Sequence, residues 1–202
     1  MPLWLAGEPL VLASKSAARQ AVLRDAGLPI EVDPADIDER AIEQQAGTSD
    51  AGAVASLLAR EKACAIAMRK PGRFVLGADQ TLALGSRRFS KPPDLAAARR
   101  QLESLRGQTH ELTSAIALVR DDVVMFEHRA AARLTMRAFS NAFLDSYLEA
   151  MSAAVTTSVG AYQLERVGIQ LFERVDGDHF VILGLPLLPL LDFLRRQRLL
   201  AA

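Results

Sequence analysis

Two hydrophobic rhythms alternate along this chain: short apolar runs, and longer stretches with an apolar residue every three or four positions. That succession predicts an α/β fold. Residues 9–13 (PLVLA) read as a buried strand, and a helix follows from about Ser16 to Ala26, stopping at Gly27. Across 51–69, Val54, Leu57, Leu58, Ala65 and Ile66 keep helical spacing, and the Pro71-Gly72 break leads into a strand at 73–79 (RFVLGAD). Asp94 is placed to cap a helix that runs through Leu105 and ends at Gly107. Two long strands, 110–120 and 123–135, meet at Asp121-Asp122. A second hairpin is expected from 168–175 and 179–183 around Asp176-Gly177-Asp178. The closing helix starts near Pro186, since proline suits a first helical turn. With no repeat, low-complexity tract or flexible linker, residues 1–202 are read as one domain, any second lobe being an insertion into the sheet.

Composition narrows the function more than the fold. Half the residues are hydrophobic, and 24 basic side chains meet 24 acidic ones, so no global field draws the chain to nucleic acid or an anionic membrane. A bound anion must be held by a local pocket. Cys64 is the only cysteine, which excludes an internal disulfide and a multi-cysteine zinc site and suits a reducing cytoplasm. His110, His128 and His179 lack metal-ligand spacing. The opening MPLWLAGEPLVLASKS has no basic start, and Glu8 interrupts its apolar run, so it does not read as a signal peptide. The most apolar stretch, 183–194, contains Pro186 and Pro189 and falls short of the roughly 20 residues a bilayer span needs.

Familiar catalytic motifs mostly fail. Gly72 and Gly77 have the glycine spacing of a P-loop, but Ala78-Asp79 stands where Lys-Ser/Thr is required. Three weaker signals remain. The segment ASKSAAR (13–19) lies where a strand turns into a helix; its hydroxyls, free N–H groups and Arg19 suit a phosphate, although Ser16 equally fits an ordinary N-cap. Asp79 closes an apolar strand at GADQT (77–81), where α/β folds place ligands, though a turn-forming Asp is the blander account. Asp36, Asp38 and Glu39 supply further carboxylates after another short strand, and paired oxygen ligands are what Mg²⁺ requires when it also bridges phosphates. Lys62 interrupts the apolar stripe of the 51–69 helix, and Lys91 precedes the Asp94 helix; each reads alone as a snorkelling surface lysine. Taken together, dispersed cations and a carboxylate pair describe a phosphate-and-metal pocket.

These pieces, in this order, resemble the Maf family of nucleotide pyrophosphatases nearly end to end. LASKSAAR (12–19) is like the family's LASxSPRR and DIDER (36–40) like its DIDE; EKA (61–63), GADQT (77–81), SKPPD (90–94), LESLRGQTHELTS (102–114) and GLPLLPLLDFLR (184–195) complete the set. The resemblance implies an elongated mixed sheet flanked by helices, of the inosine-triphosphatase type, with two lobes and a central cleft, and homodimers are frequent among its members. It implies a nucleoside triphosphate substrate and a divalent metal cation, Mg²⁺ or Mn²⁺. Carried over by position, Asp79 is the catalytic carboxylate, Glu39 and Asp79 face the metal, and Ser16, Arg19, Lys62 and Lys91 contact phosphate. Gln80 and Glu165 fall on substrate-binding positions.

Two departures stand out. Ala17-Ala18 replaces the usual Pro-Arg, and Glu165-Arg166 stands where many members have Gln-Gly. Gln80 and Glu165 resemble the branch that acts on 7-methyl-GTP more than the branch that prefers dTTP and UTP. The family is also associated with arrest of cell division and septum formation, so a nucleotide-binding regulator is the rival reading. A serine hydrolase using Ser14 or Ser16 has no partnered histidine in any motif.

Overall fold

In a computed structural model of the chain, residues 3–201 are described; Met1, Pro2 and Ala202, the ends of the single-domain reading, lie outside them. The architecture is mixed α/β, with a seven-stranded sheet and flanking helices. The strands are β1 (Leu10–Leu12), β2 (Ile30–Val32), β3 (Phe74–Leu84), β4 (Arg87–Phe89), β5 (Thr109–Arg120), β6 (Val123–Met136) and β7 (Phe172–Asp176), in the order β2-β1-β3-β5-β6-β7 with β4 on β3. β1 pairs in parallel with β2 and β3, whereas β3–β4 and β6–β7 are antiparallel. The helices are α1 (Ala17–Asp25), α2 (Glu39–Ala46), α3 (Ala51–Ala67), α4 (Leu95–Leu105), α5 (Asn141–Met151), α6 (His179–Ile182) and α7 (Leu187–Arg196). The chain divides into two compact units, residues 1–80, 113–130 and 179–202 in the first, and 81–112 and 131–178 in the second.

In the first unit the two-residue period of the strands sorts the core by face. Leu10 and Leu12, Leu76 and Ala78, Ile116 and Leu118 pack with Val22 and Leu23 of α1 and Leu190, Phe193 and Leu194 of α7. Val11, Val75, Ala115, Ala117 and Val119 meet Ala55, Ala59, Ala63 and Ile66 of α3. The expected caps form: Ser16 Oγ accepts from the Arg19 N–H on α1, and the Asp94 carboxylate from the Ala97 N–H on α4. Asp121 takes the left-handed conformation that turns β5 into β6.

One predicted hairpin is absent. Residues 167–171 form a 3₁₀ turn, β7 pairs instead with the end of β6 (Arg133 opposite Asp176), and 179–182 coil into α6. A four-residue apolar run does not by itself separate a strand from a buried helical turn, and the Val181 and Ile182 carbonyls find side-chain donors rather than a ladder.

The core of the second unit contains a buried histidine. His110 Nε2 lies 2.7 Å from the Tyr162 hydroxyl, the ring also meets Phe172, and Nδ1 has no partner among the described residues. Burial lowers the His110 pKa to about 4. Because the unfolded chain takes up this proton first, folding stability is complete above pH 6.5 and is lost as pH falls toward 4, by about 3 kcal/mol for this residue alone. Chemical denaturation at pH 7 and pH 4.5 should show a smaller acid-induced loss in His110→Gln than in the native sequence; equal losses would assign the acid sensitivity to other groups.

Candidate active site

The site begins with an unusually close approach of α3 to β3. Ala55, Ala59, Ala63 and Ala67 line the buried stripe of the helix, and Gly77 presents no side chain from the strand. A Cβ at Gly77 would stand 1.9 Å from the Ala59 carbonyl oxygen and 2.8 Å from the Ala63 nitrogen. Lys62 belongs to the same stripe, so it points at the sheet and is buried rather than snorkelling to the surface. Its Nζ donates to Asp79 Oδ1 at 2.6 Å and lies 2.8 Å from Glu39 Oε1. Glu39 opens α2, where the Asp38 carboxylate accepts from the Ala41 N–H, and the helix dipole favours an acid in that turn.

Asp79 sits inside β3, which continues to Leu84, and not at the end of a strand. Burial raises its pKa, opposed by the charges of Lys62 and Arg19. Buried ion pairs contribute little net stability because desolvation offsets their attraction, so a carboxylate and ammonium held this way point to chemistry.

Arg19, one turn into α1, is fixed by the protein itself. Its Nε donates to the Gly184 carbonyl at 2.9 Å, and Nη1 to the Ala78 carbonyl at 2.7 Å and to Ser14 Oγ at 3.1 Å. Burial lowers its pKa, while Asp79 and Glu39 oppose that effect. A guanidinium is thus locked beside the carbonyl that precedes Asp79. Ser16, read both as a phosphate contact and as an N-cap, serves here as the cap.

Gln80 acts as a brace. Its Nε2 donates to Ser114 Oγ at 3.0 Å, the Val181 carbonyl at 3.1 Å and the Ile182 carbonyl at 2.9 Å, while Ser114 Oγ donates to Val181 O at 2.7 Å. Together with the Arg19–Gly184 bond, these contacts tie the 181–184 turn to the strand bearing Asp79. Sequence reasoning missed Ser114 and this turn, because nothing local in LTS or HFVILG signals a distant partner.

The other two assigned residues belong to the second unit. Lys91 is exposed in the segment between β4 and α4, next to the buried Pro92. Glu165 is exposed in the turn before the 167–171 segment, and among the described residues it makes no ion pair with Arg166.

Among the described residues no group of three or more His, Cys, Asp or Glu side chains could hold a metal. Glu39 and Asp79 nonetheless fit a phosphate-bridging divalent ion. Two carboxylate oxygens already converge on one cationic atom, Lys62 Nζ, and Mg²⁺ usually takes only one or two carboxylates with phosphates and waters completing its shell. No helix of the described residues is long and apolar enough to cross a membrane.

Comparison with known proteins places the whole chain among named relatives. The chain is 56% identical over 201 residues, all of both chains, to a nucleoside triphosphate pyrophosphatase of Rhodopseudomonas palustris. It is 49% identical over 191 residues to a 7-methyl-GTP pyrophosphatase of Brucella abortus, covering 94% of this chain and 96% of that one. Among solved structures, a HAM1 protein from Coxiella burnetii matches at 18% identity with a TM-score of 0.42 over 65% of this chain and 74% of that one, a likeness too distant to bear on function. Residues 9–197 match the family described as Maf-like protein, and the chain belongs to that family.

Proposed function

We propose that the chain hydrolyses nucleoside triphosphates to the monophosphate and pyrophosphate. The observation that carries this reading is the buried Lys62–Asp79 contact closed by Glu39, with Arg19 fixed beside it. The names of the full-length relatives support the same activity.

Asp79 orients a water and takes its proton, a role suited to a carboxylate whose proton affinity is raised by burial. The water oxygen bonds to the α-phosphorus, the bond from that phosphorus to the bridging oxygen breaks, and pyrophosphate leaves. Lys62 and Arg19 offset the negative charge, and positioning with charge neutralisation provides most of the acceleration. Glu39 and Asp79 would hold Mg²⁺ or Mn²⁺, which supplies further neutralisation of the phosphates when bound. A panel of nucleoside triphosphates with either ion, read for pyrophosphate against phosphate, tests the reading. Hydrolysis in heavy-oxygen water must label the monophosphate. Nucleotide binding without turnover would instead favour a regulatory protein. The lone, half-buried Cys64 supports a cytoplasmic setting.

The base is the finer question. A carboxylate accepts hydrogen bonds from the N1–H and exocyclic amine of guanine, and N7-methylation adds positive charge to that ring. Glu165, exposed and without an ion pair to Arg166, is available for this role, so we assign a broad or purine-leaning range that includes modified guanine nucleotides. Comparing kcat/KM for 7-methyl-GTP, GTP, UTP and dTTP, Glu165→Gln should shift preference toward pyrimidines. A strong native preference for dTTP and UTP, unmoved by the substitution, would remove Glu165 from base selection.

A further inference from the structure

We propose that Lys62 is an exchangeable counter-ion: in the free protein its ammonium bridges Glu39 and Asp79, discourages a divalent cation from binding alone, and yields when the cation arrives with nucleotide phosphate. This rests on the functional reading above and adds an order of binding to it. One nitrogen, Nζ, stands 2.8 Å from Glu39 Oε1 and 2.6 Å from Asp79 Oδ1, between the two carboxylates that would hold a divalent ion. An ammonium and a divalent ion are like charges, so an ion entering between the two carboxylates is repelled by an ammonium already held there.

The two neighbouring cations differ in how they are held. Arg19 is tied through Nε and Nη1 to the Gly184 and Ala78 carbonyls and to Ser14, and its planar fork stays where those acceptors hold it. Among the described residues Lys62 has only carboxylate partners at its tip, and its four-carbon stem has rotatable bonds. Its backbone stays packed in the alanine stripe of α3 while the tip changes partner. One of those partners, Glu39, is half exposed and can follow an incoming ion. Polyphosphate supplies what the exchange needs, new negative charge for the displaced ammonium and oxygen ligands for the ion. The lysine then moves from carboxylate to phosphate without losing a charged partner. Metal and nucleotide therefore bind with strong mutual enhancement, and the free protein gives up little of its buried pair to metal alone.

The test is Mn²⁺ titration, with free ion followed by electron paramagnetic resonance, in the presence and absence of a non-hydrolysable α,β-methylene nucleoside triphosphate. In the native protein the analogue should tighten Mn²⁺ binding by at least about tenfold beyond the analogue's own affinity for the ion, within the usual range of coupling between sites. Lys62→Met should bind Mn²⁺ alone at least about tenfold more tightly than the native protein and gain less from the analogue, whereas Lys62→Arg, which keeps a cation, should not bind Mn²⁺ alone more tightly than the native protein. Equal or weaker Mn²⁺ binding by a folded Lys62→Met would overturn the proposal and leave Lys62 a phosphate contact only. If that variant does not fold, the native titrations decide, since Mn²⁺ bound as tightly without the analogue overturns the exchange. Neither titration reads hydrolysis, so failure to release pyrophosphate would count against the activity and not against this exchange.

Discussion

Asp79→Asn is expected to fold and to lose at least about a hundredfold in turnover, the usual cost of removing a general base. Asn keeps the size of the side chain and a carbonyl oxygen that still accepts from Lys62 Nζ, but it takes up no proton from water. The stability change should be small for a buried substitution. Burial already disfavours the Asp79 charge, so neutralising it relieves a desolvation cost while weakening the attraction to Lys62 and Arg19. Lys62 also keeps Glu39, so no buried cation is abandoned. Steady-state release of pyrophosphate and a thermal melt, run side by side, check both halves. Native turnover in the variant would exclude Asp79 from proton transfer, whereas a collapsed melt would show that the charge holds the fold.

Where the sequence was legible, the reason was local. Ser16 and Asp94 cap α1 and α4, Gly27 and Gly107 end them with the positive φ a glycine takes most easily, and α3 follows its apolar spacing. α2 passed unread because it is short and buries no residue, leaving the Asp38 cap and the left-handed Gly47 at its end as its signals. α5 went unread although Ser140 caps it and Leu144, Tyr147, Leu148 and Met151 form its buried stripe. That signal was available in the chain. At the site, residue types were legible but partners were not. Lys62 looked like a surface lysine because one-dimensional spacing does not tell which side of a stripe meets a carboxylate 17 positions later. Gln80 reads as a substrate-binding position, and nothing in GADQT signals that its amide N–H groups bond to Ser114, Val181 and Ile182, up to 102 positions away. Long-range polar contacts leave no periodic trace in a sequence.

Gly77→Ala is expected to be among the most damaging single substitutions in the first unit, although it adds one methyl group. The obstacle to that methyl is backbone: the Ala59 carbonyl oxygen at 1.9 Å and the Ala63 nitrogen at 2.8 Å, with the Ala63 Cβ at 3.0 Å. No side-chain rotation relieves such a clash, so α3 must move away from β3. Overpacking of cores commonly costs about 1–3 kcal/mol, and a backbone obstacle should place this variant at or above the upper end of that range. The displaced helix carries Lys62 with it, so the 2.6 Å contact to Asp79 lengthens and turnover falls by more than the loss of folded protein explains. Denaturant unfolding gives the first effect; the rate per folded molecule, measured well below the melting temperature, gives the second. Full activity per folded molecule would mean that the close approach of α3 serves packing alone, and that Lys62 reaches Asp79 without it.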